Sequence, residues 1–280
     1  MKILLSKKMG FCFGVKKSIV MANKTIIKEK GTVYMLGPII HNPQVIKDYQ
    51  QRGVKVVNNL DQIPVGSKII TRAHGISSKV RKLAENKKLT VIDTTCPNVK
   101  KLQEIASFLN KNKYFLIIFG DKKHPEILSI LEMVNHNALV IEKPSEIAGV
   151  SPNKKIGFIS QTTKNIYSFK KLASHLLEKT KELRIFNTIC PATMERQESA
   201  FELSKQVDVM LVIGGKMSAN TSRLAEICKN QGVKTYHIET KTQLKQEWFC
   251  KNDRVGISSG ASTPDYLTNE IIKQLEDWYY

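Results

Sequence analysis

The chain has 280 residues, 41% of them hydrophobic, and 44 Lys and Arg against 25 Asp and Glu give it a formal net charge of +19. This fits a soluble globular protein, and the longest apolar run, Phe115–Phe119, is far too short to cross a bilayer. Five cysteines, an odd number, exclude a simple disulfide scaffold, so metal or catalytic use is the stronger expectation.

Residues 1–8 lack a signal-peptide core and read as a first strand, which predicts a cytoplasmic protein. Cys12 follows, and Val15, Ile19, Ala22 and Ile26 then mark a helical stripe. Val33-Tyr34-Met35-Leu36-Gly37 reads as a strand. Asn42-Pro43 opens a helix that stops at Arg52-Gly53, and Val54-Lys55-Val56-Val57 is the next strand. Residues 61–66 are a turn-rich connection. Ile69-Ile70-Thr71 runs into His74-Gly75. Thr90-Val91-Ile92 leads into Asp93-Thr94-Thr95-Cys96-Pro97, where proline suits the first position of a helix reaching Asn112. Tyr114 to Gly120 is a strand, and His124-Pro125-Glu126 opens another helix. Residues 143–155, with Pro144, Gly149 and Pro152, are the most linker-like stretch. Strands at Gly157-Phe158-Ile159, Leu183-Arg184-Ile185-Phe186, Val209 to Gly214 and Val255-Gly256-Ile257 alternate with helices, one spanning 219–230 and the last 264–278. Short β–α alternation of this kind predicts mainly parallel sheets.

A threefold repeat underlies the alternation. Cys12, Cys96 and Cys190 stand 84 and 94 residues apart, each between a strand and a helix. Each is followed, 28 to 30 residues on, by a polar group beyond a strand ending in glycine: His41, His124, and the Ser218–Asn220 turn. A second polar turn lies 62 to 72 residues after each cysteine, carrying His74, Thr162 and Ser262. The fold class expected is three α/β lobes related by a pseudo-threefold repeat, at residues 14–95, 96–188, and 1–13 plus 189–280. The first strand then joins the last lobe. Ligands of parallel α/β units collect beyond the carboxyl ends of strands, where helix N-termini present free N–H groups.

Three cysteines far apart can hold zinc or an iron–sulfur cluster, or no metal, and spacing alone leaves all three open. The histidines, serines and Asn220 suit a phosphate or diphosphate. Glu126 at a helix start is commonly a dipole-complementing carboxylate; as a proton donor it would need a raised pKa. His136, His175 and His237 read as ordinary histidines, and Cys228 and Cys250 as small buried hydrophobes. The lysines are scattered along helices, which favours a solvated basic surface over a docking face. A basic nucleic-acid-associated protein would need clustered cations or stacking aromatics, and aromatics are only 7%. A hydrolase using zinc-bound water is a third reading.

Gly10-Phe11-Cys12-Phe13-Gly14-Val15, Ile40-His41-Asn42, Ala73-His74-Gly75, Asp93 to Pro97, His124-Pro125-Glu126, Gln161-Thr162-Thr163, Thr188-Ile189-Cys190, Arg196-Gln197, Ser218-Ala219-Asn220 and Gly260 to Pro264 form an ordered set. From about residue 3 to 275, it resembles the 4-hydroxy-3-methylbut-2-enyl diphosphate reductases of the methylerythritol phosphate route to isoprenoids. The resemblance implies three α/β lobes around a central 4Fe–4S cluster bound by Cys12, Cys96 and Cys190, whose fourth iron takes the substrate hydroxyl. It implies that His41, His74, His124, Ser218, Asn220 and Ser262 hold the diphosphate, and that Glu126 delivers a proton with Thr162 placing it. Two electrons and two protons would remove the hydroxyl as water, giving isopentenyl and dimethylallyl diphosphate. A ferredoxin or flavodoxin would supply the electrons, and such acidic partners suit the basic surface. The family often has a second serine where this chain has Ala219. No dimerisation stripe stands out, so a monomer is expected.

Overall fold

The structure is a computed structural model that describes residues 1–29, 31–148 and 155–279. In chain order the elements are β1 (Lys2–Leu5), α1 (Phe13–Lys28), β2 (Val33–Leu36), α2 (Pro43–Gln51), β3 (Lys55–Val57), β4 (Lys68–Ile70), α3 (Ser78–Asn86) and β5 (Thr90–Ile92). Then come α4 (Pro97–Lys111), β6 (Phe115–Phe119), α5 (Pro125–Met133), β7 (Ala138–Ile141), β8 (Lys155–Ser160), α6 (Ile166–Leu177) and β9 (Glu182–Ile185). The chain closes with α7 (Pro191–Ser204), β10 (Val209–Ile213), α8 (Ala219–Asn230), β11 (Lys234–Ile238), β12 (Arg254–Ser259) and α9 (Asp265–Tyr279). Short 3₁₀ turns fill Leu60–Gln62, Pro144–Ile147, Lys241–Gln243 and Gln246–Trp248. Residues 149–154 of the linker-like stretch lie outside the described residues; on either side are the Pro144–Ile147 turn and the start of β8.

The strands form three four-stranded sheets, ordered β3-β2-β4-β5, β7-β6-β8-β9 and β11-β10-β12-β1. Every strand pair is parallel. Each sheet thus has one plan: the second strand of the lobe at the edge, then the first, the third and the fourth. In the last sheet the fourth place is taken by the N-terminal strand, whose Lys2 to Leu5 lie beside Arg254 to Ile257 of β12. The expected three-lobed, parallel α/β fold is therefore the one observed.

Parallel strands covered on both faces read as continuous apolar runs rather than alternating ones. β10 is buried at every position, as is β6 beyond Phe115. Leu102, Ala106 and Leu109 of α4 and Ile127 and Ile130 of α5 pack with Leu116 and Ile118 of β6. Val209, Leu211 and Ile213 of β10 pack with Ile271 and Leu275 of α9, while Met210 and Val212 face Ala200, Leu224 and Cys228 on the other side. Among the described residues no helix is long and apolar enough to cross a membrane.

The chain forms two compact units. One comprises Met1–Lys16, Ile40–Asp48 and Pro191–Tyr280 and holds the sheet built on β10; the other comprises Lys17–Ile39 and Tyr49–Cys190 and holds the other two sheets.

Candidate active site

The common sheet plan sorts the predicted site residues. The first and third strands of each sheet are neighbours, and the connections leaving them diverge, which opens a crevice at their carboxyl ends. His41 and His74 follow β2 and β4, His124 and Thr162 follow β6 and β8, and Ser218 with Asn220 and Ser262 follow β10 and β12. The cysteines follow the fourth strands: Cys96 after β5, Cys190 after β9 and Cys12 after β1. None of the three is in a disulfide, and all are partly buried.

In the unit that carries Cys12, backbone contacts fix the cysteine. Its N–H donates to the Ala261 carbonyl at 3.2 Å, and its Sγ accepts the Val15 N–H at 3.4 Å from the first turn of α1. Gly10 has φ +71°, and a Cβ there would lie 2.6 Å from Asp265 Oδ1, so only glycine serves at this turn. Ser259 Oγ accepts the Gly10 N–H at 2.8 Å. The buried Arg196 of α7 donates twice to the Gly10 carbonyl, from Nε at 3.3 Å and Nη2 at 2.9 Å.

The same unit builds a cradle of short polar side chains. Asn42 caps α2 by accepting the N–H groups of Gln44 and Val45, and its Nδ2 donates to the Ser262 carbonyl at 3.0 Å. Ser262 Oγ lies 3.4 Å from both the His41 carbonyl and Ser218 Oγ. Ser218 caps α8. The loop after β10 passes so close to His41 that a Cβ on Gly215 would sit 2.4 Å from the His41 carbonyl oxygen. Asn220, only 4% exposed, has neither its Oδ1 nor its Nδ2 bonded among the described residues. A buried, unsatisfied amide beside helix N-termini is costly unless a ligand completes it.

The other unit carries titratable groups. Cys96 is the N-cap of α4, followed by Pro97, with its N–H on the Ala73 carbonyl at 3.0 Å. Cys190 donates its N–H to the Thr162 carbonyl at 2.9 Å, and its Sγ accepts from Asn98 Nδ2 at 3.0 Å. Asp93 braces the Cys96 turn. Burial opposes its ionisation, but hydrogen bonds from Thr95 and Lys100 outweigh that and hold the carboxyl below the usual carboxylate range. His124 caps α5, its Nδ1 accepting the Glu126 N–H at 3.2 Å, which leaves Nε2 as the protonated nitrogen of the neutral ring. The His74 and His124 rings meet edge to face, 5.4 Å between centroids.

Glu126 is 1% exposed. Thr162 holds both its oxygens: the Thr162 N–H donates to Oε1 and the Thr162 hydroxyl to Oε2, each at 2.7 Å. Burial raises the Glu126 pKa to about 7, against the opposing effect of the two Thr162 bonds. A carboxyl raised in this way can carry a proton near neutral pH and give it up there.

The remaining cysteines divide. Cys228 is fully buried in α8, and burial pushes its thiol up to about 12. Cys250 is exposed, which corrects the expectation of a buried hydrophobe. It falls in the turn before β12, where its N–H bonds Asp253 Oδ2, and a turn puts the side chain outward whatever its polarity. His175 is exposed on α6, and His237 bonds the Gly214 carbonyl from β11. Asn42 and Arg196 stood within motifs, but nothing in the sequence assigned them a task. An Asn-Pro helix start was the only signal for the first, and the second had none.

Three parallel α/β lobes, cysteines opening helices after their fourth strands, and a buried protonatable glutamate define a three-lobed oxidoreductase. The chain belongs to the family described as LytB protein, whose model matches residues 3–276. It is 44% identical over 279 residues to a protein of Dictyoglomus turgidum named 4-hydroxy-3-methylbut-2-enyl diphosphate reductase, covering 100% of this chain and 98% of that one. A protein of Geobacter sulfurreducens with the same name is 43% identical, covering 99% and 98%. The structure of the E-1-hydroxy-2-methyl-but-2-enyl-4-diphosphate reductase from Plasmodium falciparum superposes with a TM-score of 0.93 at 28% identity, covering 98% of this chain and 87% of that one. A second solved structure, of (E)-4-hydroxy-3-methyl-but-2-enyl diphosphate reductase, the terminal enzyme of the non-mevalonate pathway, is 39% identical with a TM-score of 0.73, covering 99% of both chains.

Proposed function

We propose that the chain reduces 4-hydroxy-3-methylbut-2-enyl diphosphate to isopentenyl and dimethylallyl diphosphate, with two electrons and two protons removing the hydroxyl as water. Family membership over residues 3–276 supports the substrate, and the carrying observation in the structure is the buried Glu126–Thr162 pair. Cys12, Cys96 and Cys190 would hold one 4Fe–4S cluster. The donor set fits: three cysteines outside any disulfide, each opening a helix, with N–H groups donated to the sulfurs of Cys12 and Cys190. Such a cluster supplies the electrons and a Lewis-acid iron.

The other steps belong to side chains. Ser218, Asn220, Ser262 and His41 offer donors to the diphosphate, joined by His74 and His124. The helix N-termini behind Ser218 and His124 add favourable dipoles. Glu126 stores the proton on a carboxyl oxygen, and Thr162 fixes which oxygen carries it. The donor would be a one-electron carrier of ferredoxin or flavodoxin type, docking on a basic monomer. Anaerobic, iron-loaded protein mixed with reduced viologen dye and the hydroxymethylbutenyl diphosphate tests the proposal. Substrate-dependent dye oxidation yielding both diphosphates is expected; a cluster-loaded protein that leaves the dye reduced would overturn it.

A further inference from the structure

Arg196 is a cation 6% exposed, and no carboxylate pairs with it among the described residues. Its donors go to neutral carbonyls: Nη1 to Ala192 at 2.8 Å, and Nε with Nη2 to Gly10. A buried charge is expensive unless an opposite charge compensates it, and its neighbour Glu195 is instead directed to Lys8. The carbonyl gripped by the fork lies two residues before Cys12, on a glycine that admits no side chain and whose N–H is held by Ser259. The Gly10 peptide is therefore clamped on both sides, and through Phe11 it leads into the cysteine.

We propose that Arg196 is a positioning residue for Cys12, and that its buried charge is balanced by the anionic metal–sulfur group which that cysteine holds. The assignment rests on the reading of the three cysteines as cluster ligands. Two consequences separate it from a role in folding alone. Losing the fork loosens Cys12, so cluster retention against a chelator weakens about 10- to 100-fold, the range for partners behind a metal ligand. Losing the charge disfavours the extra electron of the reduced cluster, so the midpoint potential moves to more negative values.

The experiment compares wild type, Arg196→Gln and Arg196→Lys, purified anaerobically, by iron and sulfide content, spectroelectrochemical potential, and cluster loss to a chelator. Arg196→Gln is expected to show the more negative potential and the faster loss. Arg196→Lys keeps the charge without the two-pronged grip; its potential stays near wild type while its cluster is lost faster. The lysine variant carries the test where the glutamine variant does not fold. Wild-type release from Arg196→Lys, or a wild-type potential in a folded Arg196→Gln, would overturn the proposal and leave the cluster reading intact. Wild-type protein that binds neither iron nor sulfide would overturn both.

Discussion

The two units carry chemically different sets of the predicted site residues. The unit with Cys12 carries His41 with Ser218, Asn220 and Ser262, mostly short neutral side chains fixed by caps and close backbone passes at Gly10 and Gly215. The unit with Cys96 and Cys190 carries Glu126 with the His74–His124 pair, and it buries the carboxyl almost completely. The first arrangement suits holding an anion; the buried carboxyl of the second suits handling a proton. The same sheet plan produced both, so the division lies in the residues after the strands and not in the architecture. Substitutions at Ser218, Asn220 and Ser262 should therefore change binding, and those at the Glu126–Thr162 pair turnover.

Cys96→Ser sets the upper limit and tests the frame within which the two sets differ. A serine hydroxyl is a poor ligand beside a thiolate, so iron and sulfide content and dye oxidation should both fall to background. A brown, fully active Cys96→Ser protein would remove this cysteine from the site. Glu126→Gln comes next. It keeps the shape, with its amide oxygen accepting the Thr162 N–H and its amide nitrogen donating to the Thr162 hydroxyl, but it has no transferable proton. The expected loss in kcat is about 10²- to 10⁴-fold, with cluster content and substrate affinity retained. A raised KM at wild-type kcat would place Glu126 with the binding set instead.

How much of this was legible in the sequence depends on whether a signal was local. Pro97 directly after Cys96 marked a helix start, and α4 begins there. The place of the first strand came from the repeat, and β1 lies beside β12 in register. The burial of Glu126 was not legible. A glutamate in the first turn of a helix ordinarily faces water, and here the chain after β8 covers it, supplied by Thr162 from 36 residues away. Arg196 was equally silent, because its partner is a backbone carbonyl 186 residues distant. Cys250 misled in the opposite direction: it comes after Trp248 and Phe249, yet among these only Phe249 reaches the core.

Asn220→Ala tests the binding set at an intermediate scale. Hydrogen bonds to a charged group contribute about 1.5–3 kcal/mol each, so substrate affinity should fall about 10- to 150-fold with kcat little changed. The unbonded amide is a cost to the substrate-free fold, so the thermal midpoint of the free protein should hold or rise. A lowered midpoint with unchanged affinity would make Asn220 a structural residue.

Thr162→Val has the smallest expected effect and the sharpest sign. Burial raises the Glu126 pKa and the two Thr162 bonds lower it, with burial ahead. Valine removes the hydroxyl bond to Oε2 and leaves the backbone N–H on Oε1. The balance shifts further toward burial, and the pKa rises above about 7. Because the acid must be protonated to act, kcat/KM falls on the alkaline side, and in this variant that fall moves to higher pH. Stability tracks the same group. Glu126 binds its proton more tightly folded than unfolded, so its contribution is complete at pH below the ordinary glutamate value and is lost as pH rises through the folded pKa. In the valine variant the loss should start at the same pH, because the unfolded glutamate is unchanged, but extend to higher pH and run deeper. An alkaline limb that stays in place or moves to lower pH would show that the hydroxyl does not act on the Glu126 proton, and that Thr162 serves only to fill the crevice.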